Sequence, residues 1–412
     1  MRPSVPLIAA LTFALSGCFN FDAAYDKYCT LNRCDGGGSA TGGGTGTGGG
    51  SAGGGVGGAA GGGSGGAAGG GTGGSAGGVG GGGGGGGAAG GGSGGGTGGG
   101  SGGGAGGGMG DAACDSGLCY VRSYDIPKLQ MRTITAVTPN AVFAGGDEGT
   151  VVRWDGTSFF PTKTPNNTGN IWAVHGVSPN AVWAGGGAGG RTNQWNGSDW
   201  VPYPNNAVST GSKSIWGVHA LSDGGALAGA SNGELFRWVG GVWTLEAVTE
   251  NDYLDDITGC NDEEQVYVVT YKGNVYRYNA DGGFALEYTG TTILDSLHCH
   301  PTGGSWAVGE SGLVLKRNDA TNGWEVQALG LTSDLFSVWT SDQNETWIVG
   351  GQRTLIRVVP DAGMKSYNLP PYQLGYFHDV SGVGDNLWVA ANYAPSATHD
   401  GGVIVHFKIG PP

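Results

Sequence analysis

The fold is decided by the stretch IWAVHGVSPNAVWAGG, residues 171–186. It contains two short apolar runs of the kind that form β-strands, separated by the turn signal Ser178-Pro179-Asn180. Val174 in the first run marks a position that recurs as an aliphatic residue at intervals of 40, 44, 39, 40, 41 and 42 residues. We call these seven residues the anchors: Ile134, Val174, Val218, Ile257, Leu297, Val338 and Val380. A period of this length indicates supersecondary units that bury their faces against one another.

Each repeat continues beyond this hairpin with two further short strands. In the second repeat, residues 192–195 read as the third strand, Asn196-Gly197 is a hairpin signal, and Pro202 suits an outer edge strand. Four-stranded units around a channel bury both faces of their inner strands, which explains why the first two strands are mostly apolar instead of alternating. The sequence therefore predicts an all-β fold, a seven-bladed β-propeller over residues 115–412.

The N-terminal end of this region has one strand more than its repeats need, and the C-terminal end has one strand too few. Tyr120 lies 14 residues before Ile134, the same spacing that separates Trp243 from Ile257, so residues 120–124 read as a fourth strand without a blade of its own. The last repeat ends with the strand at 403–407 and has no fourth strand. We therefore predict that the N-terminal strand completes the last blade, because this arrangement removes an open strand edge.

Residues 1–17 are typical of an export signal, with Arg2 as the positive charge and an apolar run too short to span a bilayer. The run ends in Leu15-Ser16-Gly17-Cys18, which resembles the lipobox of bacterial lipoproteins, where the cysteine is acylated. The resemblance implies a membrane anchor on Cys18. Phe19 follows it instead of the Asp that retains enteric-type lipoproteins at the inner membrane, which implies an outer-membrane lipoprotein, periplasmic or surface-facing. The alternative is an ordinary secretory signal with an incidental cysteine.

A short cysteine-containing segment, residues 18–35, leads into a glycine tract at 36–110. Of its 75 residues 51 are Gly, and it has no charged or aromatic residue. Such a segment has nothing to bury and loses much backbone entropy on ordering, so we predict a disordered linker with a root-mean-square span of about 50 Å. It is either a tether that gives the propeller reach or a repeat-expanded spacer.

The cysteines are consistent with export. With Cys18 assigned to the lipid, an even number of disulfide candidates remains: Cys29, Cys34, Cys114, Cys119, Cys260 and Cys299. The first four form two pairs whose members are five residues apart, and the last two lie just past the anchors of successive repeats, where a ring brings them together. Three disulfides fit an oxidising compartment. A zinc site is the alternative, but the four-residue gaps do not have its Cys-x2-Cys spacing.

The hairpin tips between third and fourth strands resemble degenerate Asp boxes. The tips that carry the likeness are Trp154-Asp155-Gly156, Asn196-Gly197-Ser198-Asp199-Trp200, the stretch 279–283 and the stretch 318–324. The region is similar to bacterial β-propellers of the sialidase-like and photosystem-assembly-factor-like group, over about 290 residues, although no tip has the full motif. Together with the lipobox and the glycine tract, it looks like a surface lipoprotein of Gram-negative bacteria. That likeness implies a location and not an activity.

A sialidase needs arginines that converge on one carboxylate. The cations here recur at one position of the third strand and are therefore spread around the ring: Arg153, Arg237, Arg277, Lys316 and Arg357. We interpret them as structural, with packed stems and hydrogen-bonded heads. His175, His219 and His298 each follow an anchor and raise the question of a metal site, but we interpret them as buried, hydrogen-bonded core histidines.

An acidic run at 250–264 contains seven carboxylates. The blade frame divides it, with Asp252, Asp255 and Asp256 at one end of an inner strand and residues 262–264 at the other, so we interpret it as solvated loops and not as a calcium loop. No pair of acids is singled out for hydrolysis. No nucleophile elbow or zinc-protease motif occurs. The sequence therefore predicts no catalytic residue, no metal and no cofactor.

The composition narrows the partners. A formal charge of −14 argues against nucleic acid. We predict a lipid-anchored monomer that presents its propeller as a binding or scaffold module to a protein, peptide or glycan of the cell envelope, with the ligand unknown. The alternative is a propeller glycoside hydrolase or lyase, which should bring acids, His or Tyr from different blades into one pocket at the channel mouth. An assembly factor for a membrane complex is implied only by the resemblance.

Overall fold

The computed structural model describes residues 114–410, apart from 116, 166–168, 188, 204–212, 250–251, 261–264, 280–282, 302–303, 361, 368–373 and 395–400. The predicted signal peptide, the lipidation site Cys18, the candidates Cys29 and Cys34 and the glycine tract lie outside the described residues. Within them, the chain forms β-strands and three 3-10 turns, at Asp147–Gly149, Glu310–Gly312 and Gly351–Arg353. The same residues contain no helix with the length and apolar character needed to cross a bilayer.

The strands form seven antiparallel sheets, which confirms the predicted seven-bladed propeller. Blades 1 to 3 are built from β3 (Met131–Thr138), β4 (Ala141–Gly146), β5 (Thr150–Trp154) and β6 (Phe159–Lys163); β7 (Ile171–Ser178), β8 (Ala181–Gly186), β9 (Arg191–Trp195) and β10 (Trp200–Pro202); β11 (Ile215–Ala220), β12 (Ala226–Ala230), β13 (Glu234–Val239) and β14 (Val242–Val248). Blades 4 to 6 are built from β15 (Leu254–Cys260), β16 (Gln265–Thr270), β17 (Asn274–Asn279) and β18 (Gly283–Thr289); β19 (Leu294–His300), β20 (Gly304–Gly309), β21 (Val314–Asn318) and β22 (Gly323–Val326); β23 (Leu335–Thr340), β24 (Thr346–Gly350), β25 (Thr354–Val359) and β26 (Gly363–Ser366).

Blade 7 contains both ends of the domain. Its strands are β27 (Leu374–Val383), β28 (Asn386–Tyr393), β29 (Gly401–Ile409), β2 (Leu118–Pro127) and the short β1 (Cys114–Asp115). The sheet order β1-β2-β29-β28-β27 confirms that the N-terminal segment supplies the missing fourth strand. Tyr120 pairs with Phe407 and Tyr124 with Ile404, so the closing strand is longer than the predicted 120–124.

The inner strands are β3, β7, β11, β15, β19, β23 and β27, and their anchors are buried. Hydrogen bonds join neighbouring inner strands: the backbone N–H of Val174 donates to Thr133 Oγ1 of blade 1 at 3.3 Å, and the N–H of Ile134 donates to Asp379 Oδ2 of blade 7 at 2.6 Å. The second of these contacts closes the ring between the last blade and the first.

The space between blades is filled by aliphatic side chains together with many aromatic ones. Ten of the 13 tryptophans are buried, so most of them are core residues. Trp183, Trp347 and Trp388 are fully buried on second strands. The other three, Trp172, Trp216 and Trp238, are partly exposed, and the first two lie on inner strands. Their exposure is not explained by the core.

Two disulfides lie within the described residues. Cys114–Cys119 joins β1 to β2, and Cys260–Cys299 joins the ends of the inner strands of blades 4 and 5. Both pairings match the prediction, the first from the five-residue spacing of its cysteines and the second from their equal positions in consecutive repeats. The second bridge links two consecutive blades directly, in addition to the core between them.

Two of the recurring third-strand cations, Arg357 and Arg153, have the predicted structural role, although of the two only Arg357 has a hydrogen-bonded head among the described residues, and Lys316 is exposed. Arg357 is buried, pairs with Glu345 and donates to the carbonyls of Gly117 at 3.5 Å and Gly410 at 3.2 Å, so it fastens both ends of the domain to blade 6. Arg153 instead packs on aromatic rings, 5.4 Å from the centroid of the Trp195 ring. Its buried Nε has no hydrogen-bond partner among the described residues.

Candidate functional site at the two mouths of the channel

The inner strands line a central channel with two mouths. We call the end at which the inner strands begin the upper mouth and the end at which they finish the lower mouth. Every inner strand has a β-bulge two residues before its anchor, where the register with the second strand shifts by one residue. A bulge leaves the extra residue unpaired in the ladder and re-aims its side chain. The fold thus presents one side chain per blade near the upper mouth.

We call these seven side chains the bulge ring: Arg132, Trp172, Trp216, Asp255, Asp295, Phe336 and His378. All of them are partly exposed, although buried residues directly precede most of them. At the anchors, which the fold requires to be buried, all seven residues are aliphatic. At the bulge they include a cation, two carboxylates, three apolar aromatics and an imidazole. The repeat architecture does not require this mixture.

Neighbouring members of the bulge ring contact each other from blade to blade. The guanidinium of Arg132 lies 4.5 Å from the centre of the Trp172 ring, and Trp172 lies 6.2 Å from Trp216. Asp147 holds Arg132 in place, with 3.0 Å between its Oδ1 and the arginine Nε. Arg132, Trp172 and Trp216 therefore make the part of the ring that blades 1 to 3 supply a cationic and aromatic surface. In blades 6 and 7, Phe336 stacks on His378 with 5.9 Å between ring centres.

The blades 4 and 5 sector is acidic. Asp255 and Asp295 occupy the bulges of adjacent inner strands, and a buried Oδ2 atom of each has no hydrogen-bond partner among the described residues. Burial, followed by repulsion from Asp295, raises the pKa of Asp255 well above its usual value. Burial, followed by repulsion from Glu310 and Asp334, raises the pKa of Asp295 to about 8. Desolvation disfavours the charged carboxylate in both cases.

Two tyrosines lie on one side of this acidic pair. Tyr253 and Tyr271 pack together with 6.2 Å between ring centres. Burial, together with the charges of Glu310, Asp255 and Asp295, raises the pKa of Tyr271, which places this ring beside the carboxylates. The acidic sector therefore combines two poorly solvated carboxyl groups with aromatic surface.

The interpretation of the acidic run as solvated loops was wrong for its described members. Asp252 is buried and accepts hydrogen bonds from Asn274 Nδ2 at 2.8 Å and from the N–H of Lys272 at 3.2 Å. Asp256 lies on the inner strand and accepts the N–H of Leu297 from the next blade at 3.1 Å. Burial raises the pKa of Asp256 to about 7. Glu250 and residues 262–264 lie outside the described residues.

The lower mouth contains a cavity of about 520 Å³, lined by His175, His219 and His298 together with Thr258, Trp339 and Asp342. Each of the three histidines accepts a backbone N–H from the following blade at its Nδ1 atom. The donors and distances are Ala220 to His175 at 2.9 Å, Gly259 to His219 at 3.4 Å and Thr340 to His298 at 3.1 Å. All three histidines are hydrogen-bonded to the backbone, as the sequence predicted, but only His219 is buried, and His175 and His298 are partly exposed.

These hydrogen bonds also fix the tautomer. A ring nitrogen that accepts a hydrogen bond carries no proton, so the neutral imidazole carries its proton on Nε2. Burial lowers the pKa of His175 to about 4 and that of His298 to about 3, which keeps the rings neutral. A protonated Nε2 has no lone pair for a metal. Across the described residues, no group of three His, Cys, Asp or Glu side chains is placed to hold a metal ion.

Known structures share the fold. Comparison with family models and with curated proteins finds no match. Among solved structures, the chain is similar to "YCF48 bound to D1 peptide", with 14% identity and a TM-score of 0.57, covering 73% of this chain and 99% of that one. It is also similar to the WD40 β-propeller domain of Doa1, with 15% identity and a TM-score of 0.58 over 71% of this chain and 98% of that one. The U3-55K structure matches with 10% identity and a TM-score of 0.59 over 69% and 98%. At these identities the similarity shows the fold alone.

Proposed function

We propose that this protein is a lipid-anchored propeller of the cell envelope whose upper mouth binds a basic peptide segment of a partner protein. The acidic pair of the bulge ring carries this proposal. Asp255 and Asp295 are poorly solvated carboxyl groups that no described cation neutralises, and their ionised forms, which repel each other, gain most from an ammonium or guanidinium group. Trp172 and Trp216 add aromatic surface on the same ring.

The neighbouring folds are compatible with a peptide ligand, because one of them is named as bound to a peptide. The anchoring half of the proposal rests on the lipobox-like Leu15-Ser16-Gly17-Cys18 and on the glycine tract. A lipid on Cys18 and a linker of this length would hold a monomeric propeller on the outer membrane with reach to a partner. Growth with a radioactive fatty acid should label the wild-type protein and not Cys18→Ala. Equal labelling of both would refute the anchor.

The binding half makes a specific thermodynamic prediction. In the free protein Asp295 is protonated at pH 7, because its pKa is raised to about 8. A bound ammonium group favours the carboxylate, so complex formation should release protons. Calorimetric titration with a lysine-containing octapeptide, in two buffers of different ionisation enthalpy, measures this release. The matched peptide with glutamate in place of lysine should not bind.

Variants distinguish binding at this site from non-specific binding of the peptide. Asp255→Asn and Asp295→Asn keep the shape of the carboxyl group and remove its charge, and each should weaken the lysine peptide by about 10-fold or more, since a hydrogen bond to a charged group contributes about 1.5–3 kcal/mol. Glu325→Gln, on an outer strand of blade 5, is the matched control and should bind as the wild type does. Equal affinity of both peptides, or unchanged affinity of both Asn variants, would refute the proposal.

A glycoside hydrolase is the second candidate, because the same two carboxyl groups meet the criterion of acids from different blades at one channel mouth. The raised pKa values supply the protonated acid that glycoside cleavage needs. We favour binding because catalysis by two carboxyls requires environments that push their pKa values apart. Burial and repulsion here raise both pKa values in the same direction. Release of reducing ends from envelope polysaccharides, lost in Asp295→Asn, would reverse this preference.

A further inference from the structure

The three histidines of the lower mouth do more than support the backbone. Each uses Nδ1 to accept an N–H from the next blade and therefore carries a proton on Nε2. His175 and His219 stack with 4.5 Å between ring centres, and both line the same cavity as His298. None of the three rings has another hydrogen-bond partner among the described residues. The cavity is thus lined by three neutral rings, each with an uncommitted N–H donor, and also by a fourth histidine, His300.

We infer that the lower mouth is a second binding site, on the opposite end of the channel from the peptide site, for an uncharged sugar residue. The donors require oxygen acceptors on the ligand. Asp342 at the rim, with the hydroxyl of Thr258, supplies acceptors for ligand hydroxyl groups. Trp339 provides apolar surface on the same wall. A sugar ring combines hydroxyl groups that both donate and accept with apolar C–H faces.

The charge of the cavity selects against anions. None of its described lining residues is Lys or Arg, and Asp342 is itself an anion. Transfer of an unpaired carboxylate or phosphate from water into such a site costs several kcal/mol, which neutral imidazole donors do not offset. Cations are disfavoured by the same three N–H groups, because these expose no lone pair. A neutral ligand avoids both penalties, and a cavity of about 520 Å³ lies within the range of small-molecule sites.

The test uses the full chain labelled with ¹⁵N-histidine, so that the Nε2 and Nδ1 resonances report both tautomer and contact. The probes are the methyl glycosides of glucose, galactose, mannose and N-acetylglucosamine, with sodium acetate and glucuronate as the anionic comparison. We expect Nε2-protonated rings in the free protein and a saturable shift of the Nε2–H signals with at least one of the neutral glycosides. Acetate and glucuronate should give no saturable shift.

Asp342→Asn is the diagnostic variant, since the residue is exposed and its replacement leaves the backbone support of the histidines intact. It should weaken the active glycoside at least about fivefold, while Glu325→Gln should not change it. Nδ1-protonated rings, a stronger response to acetate than to every glycoside, or no saturable response at all would overturn the inference. The peptide titration tests residues of the upper mouth and the glycoside titration tests residues of the lower mouth. A negative result in one experiment therefore does not decide the other.

Discussion

Replacing Asp295 with asparagine should stabilise the propeller at neutral pH. The folded protein raises the pKa of this carboxyl from 3.8 to about 8, so at pH 7 the folded state must either bury a charge or take up a proton. Each pKa unit corresponds to about 1.36 kcal/mol, which gives an upper bound of about 4 kcal/mol at pH 7. Asp295 is partly accessible from the channel, and we therefore expect a gain of about 1–2 kcal/mol.

The pH dependence of this gain has a defined sign. Because the pKa is raised in the folded state, the wild-type carboxyl has no destabilising effect well below its unfolded pKa of 3.8, where it is neutral in both states, and only a small effect at pH 4. Its destabilising effect grows as the pH rises from about 4 to about 8, so the advantage of Asp295→Asn should grow over the same window. Denaturant unfolding at pH 4 and pH 7 measures both values, with Glu325→Gln as the control.

Two results would refute the reasoning. An equal gain at pH 4 and pH 7 would show that packing and not charge is responsible, and a loss of stability at pH 7 would show that the carboxylate has a stabilising partner. If the gain is observed and the same variant loses the lysine peptide, the protein tolerates a destabilising residue where its ligand binds. Such a trade between stability and function is typical of preorganised binding sites.

Three further predictions concern the closure of the ring. Arg357→Met leaves Glu345 buried without its partner and should cost about 3–5 kcal/mol, whereas Lys316→Met, at the equivalent but exposed position, should cost less than about 1 kcal/mol in denaturant unfolding. Replacing both members of Cys260–Cys299 with serine opens a link that spans 39 residues and should lower the free energy of unfolding by about 4 kcal/mol; no loss would show that the blades dock without it. Deleting residues 114–127 exposes the edge of β29 and should lower the melting temperature and promote aggregation, and an unchanged melting curve would contradict closure by this strand.

The fold was predictable because its requirement repeats. Each inner strand must bury an aliphatic side chain at the same depth, so Val174 and its equivalents recur at a nearly constant interval. The closing strand was predictable for the same reason, since the spacing from Tyr120 to the first anchor matches the spacing inside complete repeats. The Cys260–Cys299 bridge follows from equal positions in consecutive units. Sequence periodicity thus predicts the positions that have the same structural role in every blade.

The candidate site was not predictable in the same way, because it depends on what differs between repeats. Asp255 and Asp295 are 40 residues apart and belong to no local motif, and only the bulge in each inner strand makes them neighbours. Alignment of the repeats on their anchors would have placed both in the column two residues before the anchor. Nothing in the sequence announces that this column is bulged. The solvated-loop interpretation of Asp255 failed for that reason.

The side chains that line the channel fall into two groups, those that accept a backbone N–H from the next blade and those that do not. The innermost strand of each of these blades turns N–H groups towards the preceding blade, and buried N–H groups need acceptors. Side chains adjacent to the anchors supply these acceptors: Thr133, Asp256 and Asp379 before the anchor, and His175 and Ser381 after it. The fold therefore explains why polar side chains occupy these positions. Such a side chain indicates a ligand only where one of its polar atoms has no partner within the fold, as with the Nε2–H groups of the histidines. Among the described residues, the bulge positions accept no such bond from the next blade, so this requirement of the backbone does not explain their cation, carboxylates and tryptophans. This difference is the physical reason for placing the partner at the upper mouth.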